Sequence, residues 1–153
     1  MSIEKVRPYL TEQGFGDRIR EFDVSSATVD LAAAALGVEP GRIAKTLSFD
    51  VKGEAVLVVA AGDKRINNPA FKAAFGVKAT MLPHDSVPEK IGHAVGGVCP
   101  FAVKEGVRVY LDESLKAYDV VYPAAGSSNS AVRLSVAELE ALAHADGWVN
   151  VCK

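Results

Sequence analysis

The chain has 153 residues, with 17 Lys+Arg against 19 Asp+Glu for a formal charge of −2 at pH 7; 49% of residues are hydrophobic and 24% charged. That length predicts one domain, able to bury about two-thirds of its unfolded surface without a disulfide or metal staple. The balance excludes a disordered tail, a fibrous rod and a strongly basic protein that coats nucleic acid, but leaves room for one local contact with it.

In chain order, residues 3–13 mix apolar and charged positions ahead of Gly14 and predict a short opening helix. Residues 18–24 (RIREFDV) read as a weak strand. Ser25, Ser26, Ala27 and Thr28 offer N-caps to an alanine-rich helix over 29–36 that Gly37 ends, and Pro40 opens a helical turn through Ala44. Residues 45–51 (KTLSFDV) and 54–61 (EAVLVVAA) are strands joined by Lys52-Gly53, where glycine supplies the positive φ of a tight hairpin. Asn67, Asn68 and Pro69 start a helix over 70–75, and a further helix is predicted over 86–94. Strand character returns at 107–111 and 118–122, and briefly at 132–134 beyond the polar loop 126–130. Ser135, with Glu138 three residues on, predicts a capping box for a last helix through Ala143. Hairpin-linked strands beside helices make the class α+β with a mixed sheet, and no linker or repeat divides the chain.

The N-terminus lacks the basic-then-apolar pattern of a signal peptide, and the apolar runs at 31–36 and 55–61 are far too short to span a bilayer. Cys99 and Cys152 form no CxxC unit and have no histidine at metal spacing, which suggests reduced thiols in a cytosol. The expectation is a cytoplasmic protein with no membrane partner and no metal. Composition sets no oligomeric state.

The chain contains no GxSxG elbow, P-loop, GxGxxG or HExxH. His84, His93 and His144 do not share a helix face; His93 reads as a helix-surface histidine, with ligand contact as the alternative, and His144 as solvated. Cys99 stands in a glycine-flanked loop ended by Pro100, where a thiolate could sit, but no base accompanies it. The better reading is a loop whose main chain does the work: Gly96-Gly97 permits close approach and Pro100 stiffens the exit. Such loops point N–H groups at a carbonyl or carboxyl oxygen, although a structural turn needs the same residues. Lys45 emerges where a helical segment meets the sheet, a place from which it could hold a phosphate, carbonyl or ribose oxygen, although by position alone a solvated surface lysine is the commoner reading. Lys64-Arg65 is a basic doublet at a strand end, fit for a phosphate backbone or for solubilising a turn.

Three fragments occur together and in order: Gly37-Val38-Glu39-Pro40 leading to Ile43-Ala44-Lys45-Thr46-Leu47, then Ala61-Gly62-Asp63-Lys64-Arg65, then Gly96-Gly97-Val98-Cys99-Pro100-Phe101. In these the chain resembles the YbaK/ProX family, free-standing relatives of the editing domain inserted in bacterial prolyl-tRNA synthetases. The resemblance runs over nearly the whole chain, about Ile19 to Ala143. It implies a compact α+β domain with a partly barrel-like sheet flanked by helices. It also implies hydrolysis, without a cofactor, of wrongly charged aminoacyl-tRNA, especially tRNA for proline carrying a small non-cognate amino acid. Lys45 matches the family's functional lysine and Thr46 its neighbour. Gly96, Gly97, Val98, Cys99 and Pro100 match its GxxxP loop, which shapes the amino-acid pocket.

Ser128 and Asn129 fall where relatives carry another pocket loop. Some relatives place a histidine there, whereas this chain has serines and an asparagine. Thr28 is expected to face the same pocket, Lys64 and Arg65 to touch the acceptor end of the tRNA, and prolyl-tRNA synthetase to be a partner. An aminoacyl ester is already activated, so positioning and electrostatics suffice without a covalent nucleophile. The rival readings are a non-catalytic module that binds aminoacyl-tRNA or a nucleotide, and a hydrolase that uses Cys99 with His93.

Overall fold

The computed structural model describes residues 3–153. Helix α1 (Ile3–Glu12) buries Val6 and Leu10 and passes through a 3-10 turn, Gly16–Arg18, into β1 (Ile19–Glu21). Helix α2 (Val29–Leu36) starts at Thr28, whose hydroxyl accepts the Leu31 N–H and satisfies one of the donors that a helix N-terminus leaves free. The 3-10 turn Pro40–Arg42 delivers the chain into β2 (Ile43–Val51). Lys52 and Gly53, at φ 53° and 85°, then reverse it into β3 (Glu54–Ala61). Two successive positive φ angles are the signature of the type I′ turn, whose twist matches the flanking strands.

Asn67 caps α3 (Asn68–Phe75) through the Ala70 N–H. The 3-10 turn His84–Ser86, helix α4 (Val87–Ile91) and a long loop lead to β4 (Arg108–Asp112). After the 3-10 segment Glu113–Ala117 come β5 (Val120–Pro123), β6 (Ser130–Val132) and β7 (Leu134–Ser135). Helix α5 (Val136–Ala143) and β8 (Gly147–Val149) follow. The capping box forms as the sequence predicts, Ser135 and Glu138 each taking the other's N–H.

The main sheet is mixed, in the order β7-β5-β2-β3-β4-β8, and curls into a half-barrel; β1 and β6 make a separate antiparallel pair. Its centre is β3, buried from Val56 to Ala61, as a strand covered on both faces requires. One core face gathers Leu57, Val59, Ile91, Phe101, Leu111 and Leu139 beneath the helices; the other gathers Phe49, Val56, Val58, Phe71 and Val151. The fold class agrees with the sequence reading.

Four local differences have physical causes. The helix expected over 86–94 stops at Ile91, because Gly92 takes φ 97° and ends it. The turn after Pro40 stops at Arg42, since Ile43 and Ala44 are claimed by pairing with Tyr122 and Pro123. The strand expected at 132–134 is two strands divided at Arg133, Val132 pairing with Ile19 and Leu134 with Val121. Strand β8 has no counterpart in the sequence reading: three residues carry no legible alternation, and Gly147–Val149 is a strand because β4 offers it an edge.

Candidate active site

A cavity of about 340 Å³ opens along the outer edge of β2. Along β2, strand β5 pairs with Ile43 and Ala44, and pairing resumes where the Asp50 N–H meets the Thr80 carbonyl at 2.8 Å and the Leu82 N–H meets that of Ser48 at 3.1 Å. Between these points the edge is open, and five consecutive residues, Ile43 to Leu47, line the cavity. Ser48 and Asp50 turn their main-chain groups outward, away from β3, so strand alternation turns those of Thr46 into the same gap. Thr46 Oγ1 is buried there without a hydrogen-bond partner among the described residues. A buried hydroxyl left in that state costs free energy that a ligand can return.

Lys45 is half-buried at this edge, and its ammonium donates to the main-chain carbonyls of Gly62, at 3.5 Å, and Lys64. Neutral carbonyls hold its charge, and no carboxylate forms an ion pair with it among the described residues. Burial lowers its pKa, opposed by Cys152 and Asp63 and reinforced by Arg65. An ammonium has three N–H donors, so two carbonyls leave one for a ligand oxygen in the cavity.

The other walls come from distant parts of the chain. Ser26, Ala27, Thr28, Val29 and Ala32 line it from the start of α2 and the residues before it, Tyr122 from β5, Ala124 just beyond β5, and Ser130 and Ala131 from β6. Gly96 and Val98 face it from the loop 96–100, beside Val95, and His84 and Val87 close the remaining side. Thr28, Lys45, Thr46, Gly96 and Val98 are therefore brought together as the sequence suggested. Ser130 ends the 126–130 loop that the resemblance placed at the pocket, whereas Ser26, Ala27, His84, Tyr122 and Ala131 were not expected to line it; residues scattered over a hundred positions carry no local signal.

Gly97, Cys99, Pro100, Ser128 and Asn129 are not among the residues that line this cavity. Gly97 is a packing contact: a Cβ there would lie 2.9 Å from the Gly126 carbonyl oxygen, and its N–H is spent on the Ala94 carbonyl. Ser128 offers its carbonyl to the Ser26 N–H at 2.6 Å, and the Asn129 amide donates to the Phe22 carbonyl at 3.0 Å. These bonds tie the 126–130 loop to residues 22–26, so the loop buttresses the wall that Ser26 and Ala27 present. Lys64 and Arg65 lie outside the cavity with exposed side chains, next to the carbonyls that hold Lys45.

The pairing of Cys99 with His93 is also corrected. The two do meet, Sγ 3.6 Å from Nε2, but both are sealed in the core, with Cys99 at 0% and His93 at 1% exposure. His93 is thus not a helix-surface residue; the chain leaves α4 at Gly92 and turns the ring inward. Its Nε2 lies 2.6 Å from the Phe101 carbonyl, which can only accept, so Nε2 carries the proton and is no base for the thiol. Burial pushes the Cys99 thiol up to about 12. A neutral, enclosed thiol is not a nucleophile. His144 is exposed as expected, in the left-handed cap of α5 with its ring 3.1 Å from the Tyr9 hydroxyl.

The aminoacyl-tRNA editing domain model matches residues 24–142, and the chain belongs to that family. It is 46% identical over 154 residues to the uncharacterized protein YwhH of Bacillus subtilis (strain 168), covering 100% of this chain and 98% of that protein. It is 34% identical over 90 residues to proline--tRNA ligase of Lysinibacillus sphaericus (strain C3-41), a match covering 58% of this chain but 16% of that much longer protein. Among solved structures, one described as "a putative trans-editing enzyme for prolyl tRNA synthetase" superposes with a TM-score of 0.88 at 31% identity, covering 99% of this chain and 97% of that one. The resemblance carried by the Lys45, Gly62 and Gly96 fragments agrees with these matches. No helix among the described residues is long and apolar enough to cross a membrane.

Proposed function

We propose that the chain is a free-standing hydrolase that removes a wrongly attached amino acid from tRNA, with tRNA for proline carrying a small non-cognate residue as its substrate. The observation that carries this reading is the Lys45 ammonium at the open edge of β2, with one donor free over a cavity walled by Ala27, Ala32, Ala44, Ala124 and Ala131. Family membership supports the reaction class, and the proline--tRNA ligase and trans-editing matches support the choice of tRNA and a partnership with prolyl-tRNA synthetase.

In this mechanism the aminoacyl group enters the cavity and Thr46 presents its main-chain groups and hydroxyl to the amino-acid backbone. Main-chain groups of Gly96 and Val98 orient it from the opposite wall. Lys45 donates to the ester carbonyl oxygen and stabilises the negative charge that develops there. Water adds to the carbonyl carbon, assisted by the neighbouring ribose hydroxyl. The ester C–O bond then breaks, and the proton passes to the departing ribose oxygen, releasing the amino acid and intact tRNA. Lys64 and Arg65 meet phosphates of the acceptor end. Two such contacts predict a shallow salt dependence, consistent with a chain of net charge −2. Alanine walls discriminate by volume, and one methylene is worth only about 1–3 kcal/mol, so the pocket sorts small from large side chains better than it sorts among small ones.

The test is deacylation of a panel of mischarged tRNAs by the wild type and Lys45→Ala. Turnover of at least one small aminoacyl-tRNA, lost in Lys45→Ala, is the expected result. Stoichiometric binding without turnover would turn the reading to the non-catalytic module.

A further inference from the structure

We infer that the buried carboxylate of Asp112 is a positioning residue, holding both ends of the loop 62–65 on which the Lys45 ammonium rests. The inference rests on the hydrolase reading for its kinetic consequence, and on geometry alone for the positioning.

The loop 62–65 is irregular, and its only direct service to the cavity is the pair of carbonyls, Gly62 and Lys64, that receive Lys45. Its approach is close: a Cβ on Gly62 would fall 2.2 Å from the Pro40 carbonyl oxygen and 2.8 Å from Val29 Cγ1. The side chains of Asp63, Lys64 and Arg65 are exposed and pack little around it. Within the loop, Tyr118 bonds the Asp63 side chain and the Lys64 N–H bonds the Ala61 carbonyl at 3.1 Å, and further bonds hold its two ends.

Both ends lead to Asp112, which is 0% exposed at the end of β4. Its Oδ2 accepts the Ser114 N–H at 2.9 Å; the Ser114 hydroxyl in turn accepts the N–H of Ala61, the residue immediately before the loop, at 3.1 Å. Its Oδ1 accepts the Val151 N–H at 2.8 Å. That bond anchors residues 151–153, which pair with the other end of the loop. Val151 accepts the Asn67 N–H at 2.7 Å, Ile66 bridges to Cys152, and Arg65 and Lys153 exchange main-chain bonds at 3.1 and 2.8 Å.

A fully buried carboxylate is costly unless its oxygens are satisfied. Here the two oxygens accept main-chain N–H groups of Ser114 and Val151, and each of these segments is bonded in turn to one end of the loop. Cys152 closes the arrangement, interacting with both Asp112 and Lys45. Residues 151–153 lie outside the 24–142 stretch that matches the editing-domain model.

The test uses the full-length chain with Asp112→Asn, which keeps the shape but replaces one acceptor by a donor facing an N–H, and with Ser114→Ala, which removes only the hold on Ala61. Lys45 is followed by NMR of the unmodified protein carrying 13C-labelled lysine, its Cε resonance assigned by its absence in Lys45→Arg, alongside kcat and KM for deacylation. Asp112→Asn is expected to lower kcat about tenfold with KM changed less than about twofold, and to move the Lys45 titration up toward that of an ordinary lysine. Ser114→Ala is expected to do the same with a loss of about threefold. A folded variant whose Lys45 titration is unmoved overturns the inference, whatever its activity. If Asp112→Asn does not fold, Ser114→Ala decides alone. Should the wild type deacylate no tRNA, the hydrolase reading fails while the Lys45 titration still decides the positioning.

Discussion

Two constellations in this chain look reactive, and they differ in what surrounds them. Cys99 and His93 stand 3.6 Å apart, the textural makings of a thiol–imidazole pair, yet both are sealed in the core and the shared imidazole nitrogen is committed to the Phe101 carbonyl. Lys45 rests on main-chain carbonyls with no ion pair among the described residues, and it stands half-buried at a strand edge that neighbouring strands leave open, with a donor to spare. Adjacency of reactive residue types does not make a site; access and an uncommitted donor or acceptor do. The same contrast separates the two halves of the 96–100 loop. Gly96 and Val98 face the cavity, while Cys99 points into the core between them and Pro100.

The contrast can be broken first at Lys45. Lys45→Ala is expected to lower deacylation about 100-fold, the usual scale for losing one charge-stabilising donor, with little change in the thermal midpoint. A loss below about threefold would remove Lys45 from the chemistry. Cys99→Ala is expected to show the opposite profile. Activity should stay within about twofold of the wild type, while a small core cavity costs about 1–2 kcal/mol in denaturant unfolding. An inactive, well-folded Cys99→Ala would restore the thiol to the mechanism. In the same vein, neither thiol should react readily in the native protein, since burial pushes both Cys99 and Cys152 up to about 12.

Thr46→Val sharpens the picture of the open edge. It removes the unpartnered hydroxyl while nearly preserving shape, so it is expected to leave stability unchanged or raised and to cost about tenfold in kcat/KM. Unaltered kinetics would show that Oγ1 faces no substrate.

The smallest effect belongs to His93. Burial lowers its pKa, outweighing the Phe101 bond that favours the charged form. Between the depressed native pKa and the unfolded value near 6.5, the unfolded chain binds a proton that the native one does not. Its contribution is therefore complete above about pH 6.5 and is lost as pH falls toward the native pKa. The slope is at most about 1.4 kcal/mol per pH unit. Urea unfolding of the wild type and His93→Gln across pH 5 to 8 measures it, and parallel curves would refute it.

Most of the elements were legible because their signals are local. Thr28, Asn67 and Ser135 cap helices with their own side chains, and Lys52-Gly53 turns a hairpin by its own φ angles. Lys45 was legible as well, through the fragments shared with an editing family. What the sequence by itself determined, then, is the class of fold, the family and the lysine, each encoded within a few neighbouring residues. Tertiary structure alone decided that pairing stops between Ala44 and Ser48 and so opens the edge of β2, that Cys99 and His93 meet in the interior, and that Asp112 bonds both Ser114 and Val151. Those facts depend on which strand runs out first and on which groups lose their water, and such outcomes are set by contacts between residues tens of positions apart.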